Sequence, residues 1–452
     1  MSPHSESESE ERFDSQCLII GAGPGGLAAA QALVERDSDF EWFEKSDRIG
    51  GVWNGSPDSP VNGSLQLISS RSMSAFSAAP LPRNGADYPS AQEMTAYLLS
   101  FAETMGLASR VEFGTEVTAI EAVPGPGLPG HNGWAVSVGS RPRRYYENVI
   151  VATGHHQVPH LPPLPGAFSG RALHSRDHAT PDDLIAGTVL VIGSGTAAVE
   201  IAVESSRRAE RTLLSTRSAL RVIPRHMFGR PSDQVRPGVA SLLPVSVEQS
   251  LLGALVKVTA GQPTGPGESG TESVPCVSSD FADRVETGGI ELRPQVRRLA
   301  SDSVEFVDGS REQVDVIVYA TGYDVNIPFL TKDVLDCSGN RLPLYQRVVA
   351  PQRPGLWFVG FIDSFGPTIP ALEAQAQWVG DLIVGTTVLP SRSSMRTWIE
   401  RDRADCEKRY LDPACHTMQV DPWRYPKSIK QERARRSGKP RLNARARSVA
   451  RR

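Results

Sequence analysis

Residues 17–26, Cys17-Leu18-Ile19-Ile20-Gly21-Ala22-Gly23-Pro24-Gly25-Gly26, decide the fold of this 452-residue chain. Four apolar residues, a G-x-G-x-x-G turn and the Ala-rich run Leu27 to Val34 predict a strand, a tight turn and a helix. The first glycine permits the turn, the second lets backbone approach a pyrophosphate, and the third lets the helix pack on the strand. Phosphates then face the free N–H groups at the positive end of the helix. Phe40-Glu41-Trp42-Phe43-Glu44 reads as the next strand, and Glu44 at its end can accept bonds from ribose hydroxyls. The combination favours a bound dinucleotide over a turn that serves packing alone.

The signature has a second copy. Thr188-Val189-Leu190-Val191-Ile192 runs into Gly193-Ser194-Gly195-Thr196-Ala197-Ala198 and a helix over Val199 to Val203. Alanine in the third position suits the same close packing. The next strand, Arg211 to Leu214, ends in Ser215-Thr216-Arg217. Arg217 stands where ribose recognition would want an acid. A guanidinium there pairs with a 2′-phosphate, so the second dinucleotide is read as NADPH rather than NADH. The plainer reading of Arg217 is a solvated surface charge. Two strand ends also repeat, Asn148 to Gly154 and Asp315 to Gly322, and both contain Ala-Thr-Gly. Such pairs occur where a chain crosses between two dinucleotide domains.

The length suffices for two or three domains, each with its own core. A net charge of −3 and a charged fraction of 22% show no bias toward nucleic acid or acidic substrates. Cys17, Cys276, Cys337, Cys406 and Cys415 form no C-x-x-C and no metal-ligand spacing. That removes a dithiol redox centre and predicts an intracellular chain with free thiols and no metal. No apolar run reaches the roughly 18 residues of a membrane span. Residues 1–13 are acidic and serine-rich, lack the apolar core of a signal peptide, and are expected to be disordered. A cytoplasmic protein is expected.

Between these landmarks, Met94, Tyr97, Leu98 and Phe101 have helical spacing. Val111 to Ile120 and Trp134 to Val138 alternate as strands around a Pro/Gly hairpin loop. Gly289 to Leu292, Ser303 to Val307 and Trp357 to Gly360 read as strands, and a helix is expected from Pro370 to Ile383. Residues 225–285 are Pro/Gly/Ser-rich and are expected to be a partly helical insert. Residues 426–452 are strongly basic and are read as a disordered solubilising tail in preference to a contact for nucleic acid or membrane.

Several strings together resemble the flavin-containing monooxygenases, the class B single-chain flavoprotein monooxygenases, which are related to N-hydroxylating and Baeyer–Villiger enzymes. The fingerprint F-x-G-x-x-x-H-x-x-x-(Y/F) matches at Phe168, Gly170 and His174, with His178 in the last place. Glu44-Lys45 with Gly50-Gly51-Val52-Trp53, Ala152-Thr153-Gly154-His155-His156, and Ser215-Thr216-Arg217 also match. So do Tyr319-Ala320-Thr321-Gly322-Tyr323 and the string Glu373, Gln375, Ala376, Trp378.

The resemblance implies an α/β fold with two Rossmann-like domains. The FAD domain is discontinuous, residues 14–165 and 325–425, and an NADPH domain, residues 166–324, is inserted in it. FAD is assigned to the first turn. The residues expected to hold the two cofactors are Gly21, Ala22, Gly23, Pro24, Gly25, Gly26, Glu44, Lys45, Gly51, Val52, Trp53, Val117, Thr153 and Gly154, then Gly193, Ser194, Gly195, Thr196, Ala197, Thr216 and Arg217, with Thr321, Gly322 and Gln375. NADPH would reduce FAD, and O2 would add at flavin C4a to give a hydroperoxide. The nitrogen or sulfur of a small organic substrate would then take one oxygen atom. Alternatives are Baeyer–Villiger oxygenation of a carbonyl, or an NADPH oxidase or sensor releasing H2O2. The protein orients and excludes water while the cofactor supplies the chemistry, so no nucleophile or base triad is expected. A homodimer is one assembly the resemblance implies.

One position departs from the pattern. The family carries an Asn near flavin C4a in a segment corresponding to Ser64-Leu65-Gln66-Leu67-Ile68-Ser69-Ser70-Arg71-Ser72-Met73, and Ile68 occupies its place. Either the active site is altered there, or Ser69 or Ser70 serves instead.

Overall fold

The computed structural model describes residues 13–56, 59–124, 132–235, 275–409 and 417–435. Strand β1 (Ser15–Ile20) is apolar throughout its C-terminal half and fully buried there, as a central parallel strand requires. It leads into α1 (Pro24–Val34) through the glycine turn. Strand β2 (Glu41–Phe43) pairs with β1 in parallel. Helix α2 (Ala91–Thr104) starts at a capping box, Ser90 with Glu93, and buries Met94, Tyr97, Leu98 and Phe101. Strands β3 (Val117–Pro124) and β4 (Asn132–Val138) form an antiparallel hairpin, and β5 (Arg144–Val151) returns beside β1. The first of these begins later than the alternation at Val111 predicts. Gly114 adopts φ +62 and Thr115 N bonds to Glu44 O, so 111–116 leaves the ladder and only from Val117 does pairing start.

The second sheet is wholly parallel, in the order β9-β8-β7-β10-β6. Its members are β6 (Arg171–His174), β7 (Thr188–Ile192), β8 (Arg211–Ser215), β9 (Glu291–Arg293) and β10 (Val316–Tyr319). Helix α3 (Thr196–Ser205) follows β7 and runs a turn longer at its start than the apolar residues alone suggest. Of the expected insert, 226–231 is a short hairpin, Cys276–Val277 pairs with Val222–Ile223, and Phe281–Glu286 is helical. The remainder of that insert, 236–274 with the apolar segment Leu251 to Val258, lies outside the described residues.

After β10 the chain rejoins the first sheet. Strand β11 (Leu356–Phe358) pairs with the C-terminal half of β5, along the edge whose N-terminal half carries β4. Helix α4 (Ile369–Ile383) then packs on α1, joined by Arg36 Nε to Asp381 Oδ1 at 3.0 Å. Trp42, Phe76, Phe101 and Trp378 fill one face of the sheet, and Trp134, Tyr146, Phe358 and Phe361 fill the other. Each such side chain contributes about 1.5–3 kcal/mol by leaving water. Helix α5 (Arg392–Arg409) follows, and then α6 (Arg424–Arg433). The last is a correction: residues assigned to a disordered basic tail from 426 are helical through 433 and packed on α4. Tyr425, Ile429 and Glu432 face inward, Lys427 and Lys430 face out, and Arg433 Nε donates to Asp381 Oδ2 of α4 at 2.9 Å, so the body built on the first sheet continues past residue 425.

No helix among the described residues is long and apolar enough to cross a membrane. Cys17 and Cys337 are free thiols, and no group of three metal-ligating side chains occurs among the described residues.

Candidate active site

The two glycine turns are built alike. Gly21 N donates to Phe43 O at 2.8 Å, and Gly193 N to Ser215 O at 3.1 Å, so each turn is sewn to the end of the neighbouring strand. Gly21 has φ +100, and a Cβ there would stand 2.7 Å from Ala152 O. At Gly193 the same atom would be 2.2 Å from Ala320 O. The repeated Ala-Thr-Gly segments are thus the backbone walls against which the two turns close. Only glycine fits between.

Neither helix that follows is capped by a side chain: Gly23 precedes α1 and Gly195 precedes α3. Their first N–H groups are left for an anion. At the third glycine of the first turn, Gly26, a Cβ would lie 1.9 Å from Gly21 O. Gly50 N donates to Ala22 O at 2.9 Å and brings the 50–53 segment over the turn. Glu44 is buried, and its Oε2 accepts from Ala22 N at 2.6 Å while Oε1 accepts from Ser46 N at 2.8 Å. Each oxygen keeps a further lone pair for a ribose hydroxyl.

One continuous cavity of about 1690 Å³ joins these parts. Pockets for drug-sized ligands measure about 300–1,000 Å³, so the space suits something larger than one small molecule. Of the expected site residues, Gly21, Gly23, Pro24, Gly25, Glu44, Lys45, Gly51, Val52, Trp53, Val117, Thr153 and Gly154 line one part of it. Thr196 and Ala197 at the start of α3 line another, and Ile68 and Ser69 lie on its wall. The first turn of α4, with Thr368, Ile369 and Leu372, also faces it.

Other expected residues stand elsewhere. Ala22 and Gly26 are buried within the turn itself, and Gly193, Ser194, Gly195, Thr216 and Arg217 lie off the cavity wall. Arg217 is exposed just beyond the end of β8. Thr321 and Gly322 serve the crossover: Thr321 Oγ1 donates to His160 O, and Gly322 O accepts from His160 N at 2.9 Å. His174 Nε2 also donates to Gly322 O, at 3.0 Å, while its Nδ1 accepts from Arg176 N. That leaves the ring no free nitrogen for acid–base work. Gln375 is fully buried; its Oε1 accepts from Gly360 N at 2.9 Å and its Nε2 donates to Tyr425 Oη at 2.7 Å. It is a latch behind the cavity, holding Gly360, which lines it. Trp378 is likewise buried core.

Around Ile68 the two serines are engaged in the loop. Ser69 Oγ is 2.7 Å from Ser74 Oγ, and Ser70, fully buried, is off the cavity wall.

The sequence reading gave several wall residues no role in the site. His155 is buried beside His156, ring centroids 4.1 Å apart, and burial pushes its pKa well down, so it is neutral near pH 7. His156 and His174 both meet the Tyr323 ring edge-on at 5.1 Å. Glu200 and Glu204 of α3, and Arg225, line the far side. Burial alone would raise the Glu204 carboxyl, but bonds from His178 at 2.8 Å and Ser64 at 2.9 Å hold it below its usual value. Thr153 Oγ1 and His155 Nδ1 are buried without a partner among the described residues. Unpaired polar atoms beside a turn closed so tightly at Gly21 and Gly26 fit a flavin nucleotide with its own donors and acceptors.

Residues 14–443 match the family described as flavin-binding monooxygenase-like. The rabbit (Oryctolagus cuniculus) flavin-containing monooxygenase 5 is 30% identical over 427 residues, spanning 89% of this chain and 80% of the relative. Rat (Rattus norvegicus) flavin-containing monooxygenase 3 is 30% identical over 402 residues, 83% of this chain and 75% of the relative. Among solved structures, S-allyl-L-cysteine S-oxygenase from Allium sativum superposes with a TM-score of 0.68 at 23% identity, covering 96% of this chain and 91% of that one. Cyclohexanone monooxygenase from Rhodococcus sp. Phi1, bound to NADP+, gives 0.64 at 18% identity, covering 92% and 97%. Both likenesses show a shared α/β fold with Rossmann-like parallel sheets.

Proposed function

The chain belongs to the flavin-binding monooxygenase-like family, and on that premise we propose that it uses FAD and NADPH to transfer one atom of O2 to the nitrogen or sulfur of a small organic substrate. It is a flavin-dependent monooxygenase; the cofactor pair and the atom oxygenated are our reading. The observation that carries it is the single cavity reached from both uncapped helix starts, at Gly23 and at Thr196.

FAD would lie with its pyrophosphate on the 21–25 turn, its ribose at Glu44 and its ring system toward Thr153, Val359 and the start of α4. NADPH would lie at Thr196 and Ala197, with Arg217 for its 2′-phosphate. The flavin, once bound and reduced, supplies the activation of O2. The chain binds both nucleotides in one enclosure and surrounds the meeting point with apolar groups, among them Leu67, Ile68, Val359, Ile362 and Leu372. Such walls keep stray proton donors away. His155, neutral and buried, adds no charge there.

A reading as a peroxide-releasing NADPH oxidase is favoured by one feature, the aliphatic Ile68 where the family has an amide. Purified protein should be yellow, and NADPH consumption should be matched against oxygenated product and H2O2 across amines, sulfides and ketones. Product accounting for most NADPH with an amine or sulfide supports the proposal. Complete recovery as H2O2 for every compound supports the oxidase, and failure to take up flavin refutes both.

A further inference from the structure

Ile68 belongs by sequence to the first body, yet its loop is held by residues of the second. Arg225 Nη1 donates to Leu67 O at 2.6 Å, one residue before Ile68. Ser70 N donates to Asp233 Oδ2 at 2.6 Å, two residues after it. Gln234 Nε2 adds bonds to Ser70 Oγ at 3.1 Å and Ser72 Oγ at 2.9 Å. The arginine is itself fixed. Arg225 is buried, lies 5.3 Å over the Tyr88 ring, and its Nη2 donates to Glu200 Oε2 of α3 at 3.1 Å.

We propose that Arg225 and Asp233 are positioning residues for the oxygenation pocket, clamping the backbone on either side of Ile68 and tying that wall to α3 through Glu200. The inference rests on the monooxygenase reading above for what the pocket does, but the clamp is a property of the chain itself. Both bonds carry a charged partner, which makes them about twice as strong as neutral ones. The Arg225 bond is buried and the Asp233 bond part-buried, so a loosened loop would exchange them for hydration only by opening the wall. A reacting centre tolerates about 0.5 Å of misplacement in its surrounding shell, and two short bonds within four residues hold the wall to that order.

The test combines amide exchange on the unloaded full-length chain with peroxide release from the loaded enzyme without substrate. Losing one such bond is worth roughly a tenfold change in a local equilibrium. Exchange within 67–74 should therefore quicken about tenfold in Asp233→Ala. Asp233→Asn keeps an acceptor for Ser70 N and should stay within about threefold of the unaltered chain. With FAD and NADPH bound, H2O2 release should rise about tenfold in Asp233→Ala and in Arg225→Met, and Asp233→Asn should restore the low rate.

Unchanged exchange in Asp233→Ala overturns the proposal, as does peroxide release from Asp233→Asn equal to that from Asp233→Ala. Faster exchange with unchanged peroxide release also overturns it, because the bond would then hold the loop and not the pocket. Should the alanine variant not fold, the Ser70 amide of the unaltered chain decides: exchange as fast as at exposed Ser64 means no clamp. If NADPH fails to reduce the bound flavin, the monooxygenase reading falls while the exchange result still judges the clamp.

Discussion

Alanine at Gly26 and at Gly23 should separate two kinds of glycine in one turn. At Gly26 a Cβ would lie 1.9 Å from Gly21 O and 3.0 Å from Gly21 C, both backbone atoms. Relief requires α1 to move about 1.5 Å off the turn to restore ordinary contact of 3.4–4 Å. Helix α1 is pinned behind by Arg36 on Asp381 and Gln377 of α4, so the shift is resisted. Overpacking of this kind costs about 1–3 kcal/mol, and here the upper end applies, offset by about 1 kcal/mol of better helix propensity. The net is about 2 kcal/mol, or about 4–8 °C in melting temperature for a domain of 150–250 residues.

At Gly23 the nearest atom to a Cβ is Gly51 Cα at 3.5 Å, and the backbone, φ −77 and ψ −174, suits any residue. Gly23→Ala should cost the unloaded protein less than about 1 kcal/mol while its methyl obstructs a pyrophosphate lying on the turn. Melting of flavin-free protein and the ratio of flavin to protein absorbance are the assays. Gly23→Ala with full flavin content would refute the placing of the pyrophosphate, and Gly26→Ala as stable as Gly23→Ala would refute the packing argument.

Further outcomes are expected. Ile68→Asn should change the fraction of NADPH appearing as H2O2 at least about twofold, whereas Ser69→Ala, whose hydroxyl faces Ser74, should not; a peroxide assay at fixed NADPH distinguishes them. Gln375→Leu leaves Gly360 N without its buried acceptor and should lower stability by about 1–3 kcal/mol, as read by thermal melting. Arg217→Ala should raise KM for NADPH at least about tenfold and leave that for NADH nearly unchanged. In the second sheet, bonds from Arg211 hold the carboxyls of Glu291 and Glu312 below their usual 4.5. A lowered carboxyl adds stability above its unfolded value and loses it as pH falls through the folded one. The groups are partly exposed and screened, so Arg211→Met should cost only about 1 kcal/mol at pH 7. That difference from the unaltered chain should vanish as pH falls below 4.5 in parallel melts.

Much of the fold was legible because the signals are local. A strand, a glycine turn and a helix within twenty residues fix their own geometry, and both copies stand where the spacing predicts them. The basic residues around α6 hid a shorter signal, Tyr425, Ile429 and Glu432 at helical spacing on one buried face. Charge composition outweighed periodicity there. Gln375 illustrates the opposite limit: its string matched a family helix, but whether its amide met a cofactor or the backbone depended on Gly360 and Tyr425.

The sequence by itself determined that two nucleotide turns exist, that no cysteine pair could take their electrons, and that Ile68 breaks a pattern. Only the tertiary structure decided what stands around Ile68. Its clamps come from Arg225 and Asp233, 158 and 163 residues from the atoms they hold. Bonds over such separations have no periodicity to read, because the backbone between them is free to follow any path that the two sheets permit. The Ala-Thr-Gly repeats likewise acquired a role only in space, where Ala152 and Ala320 each present a carbonyl to the first glycine of a turn.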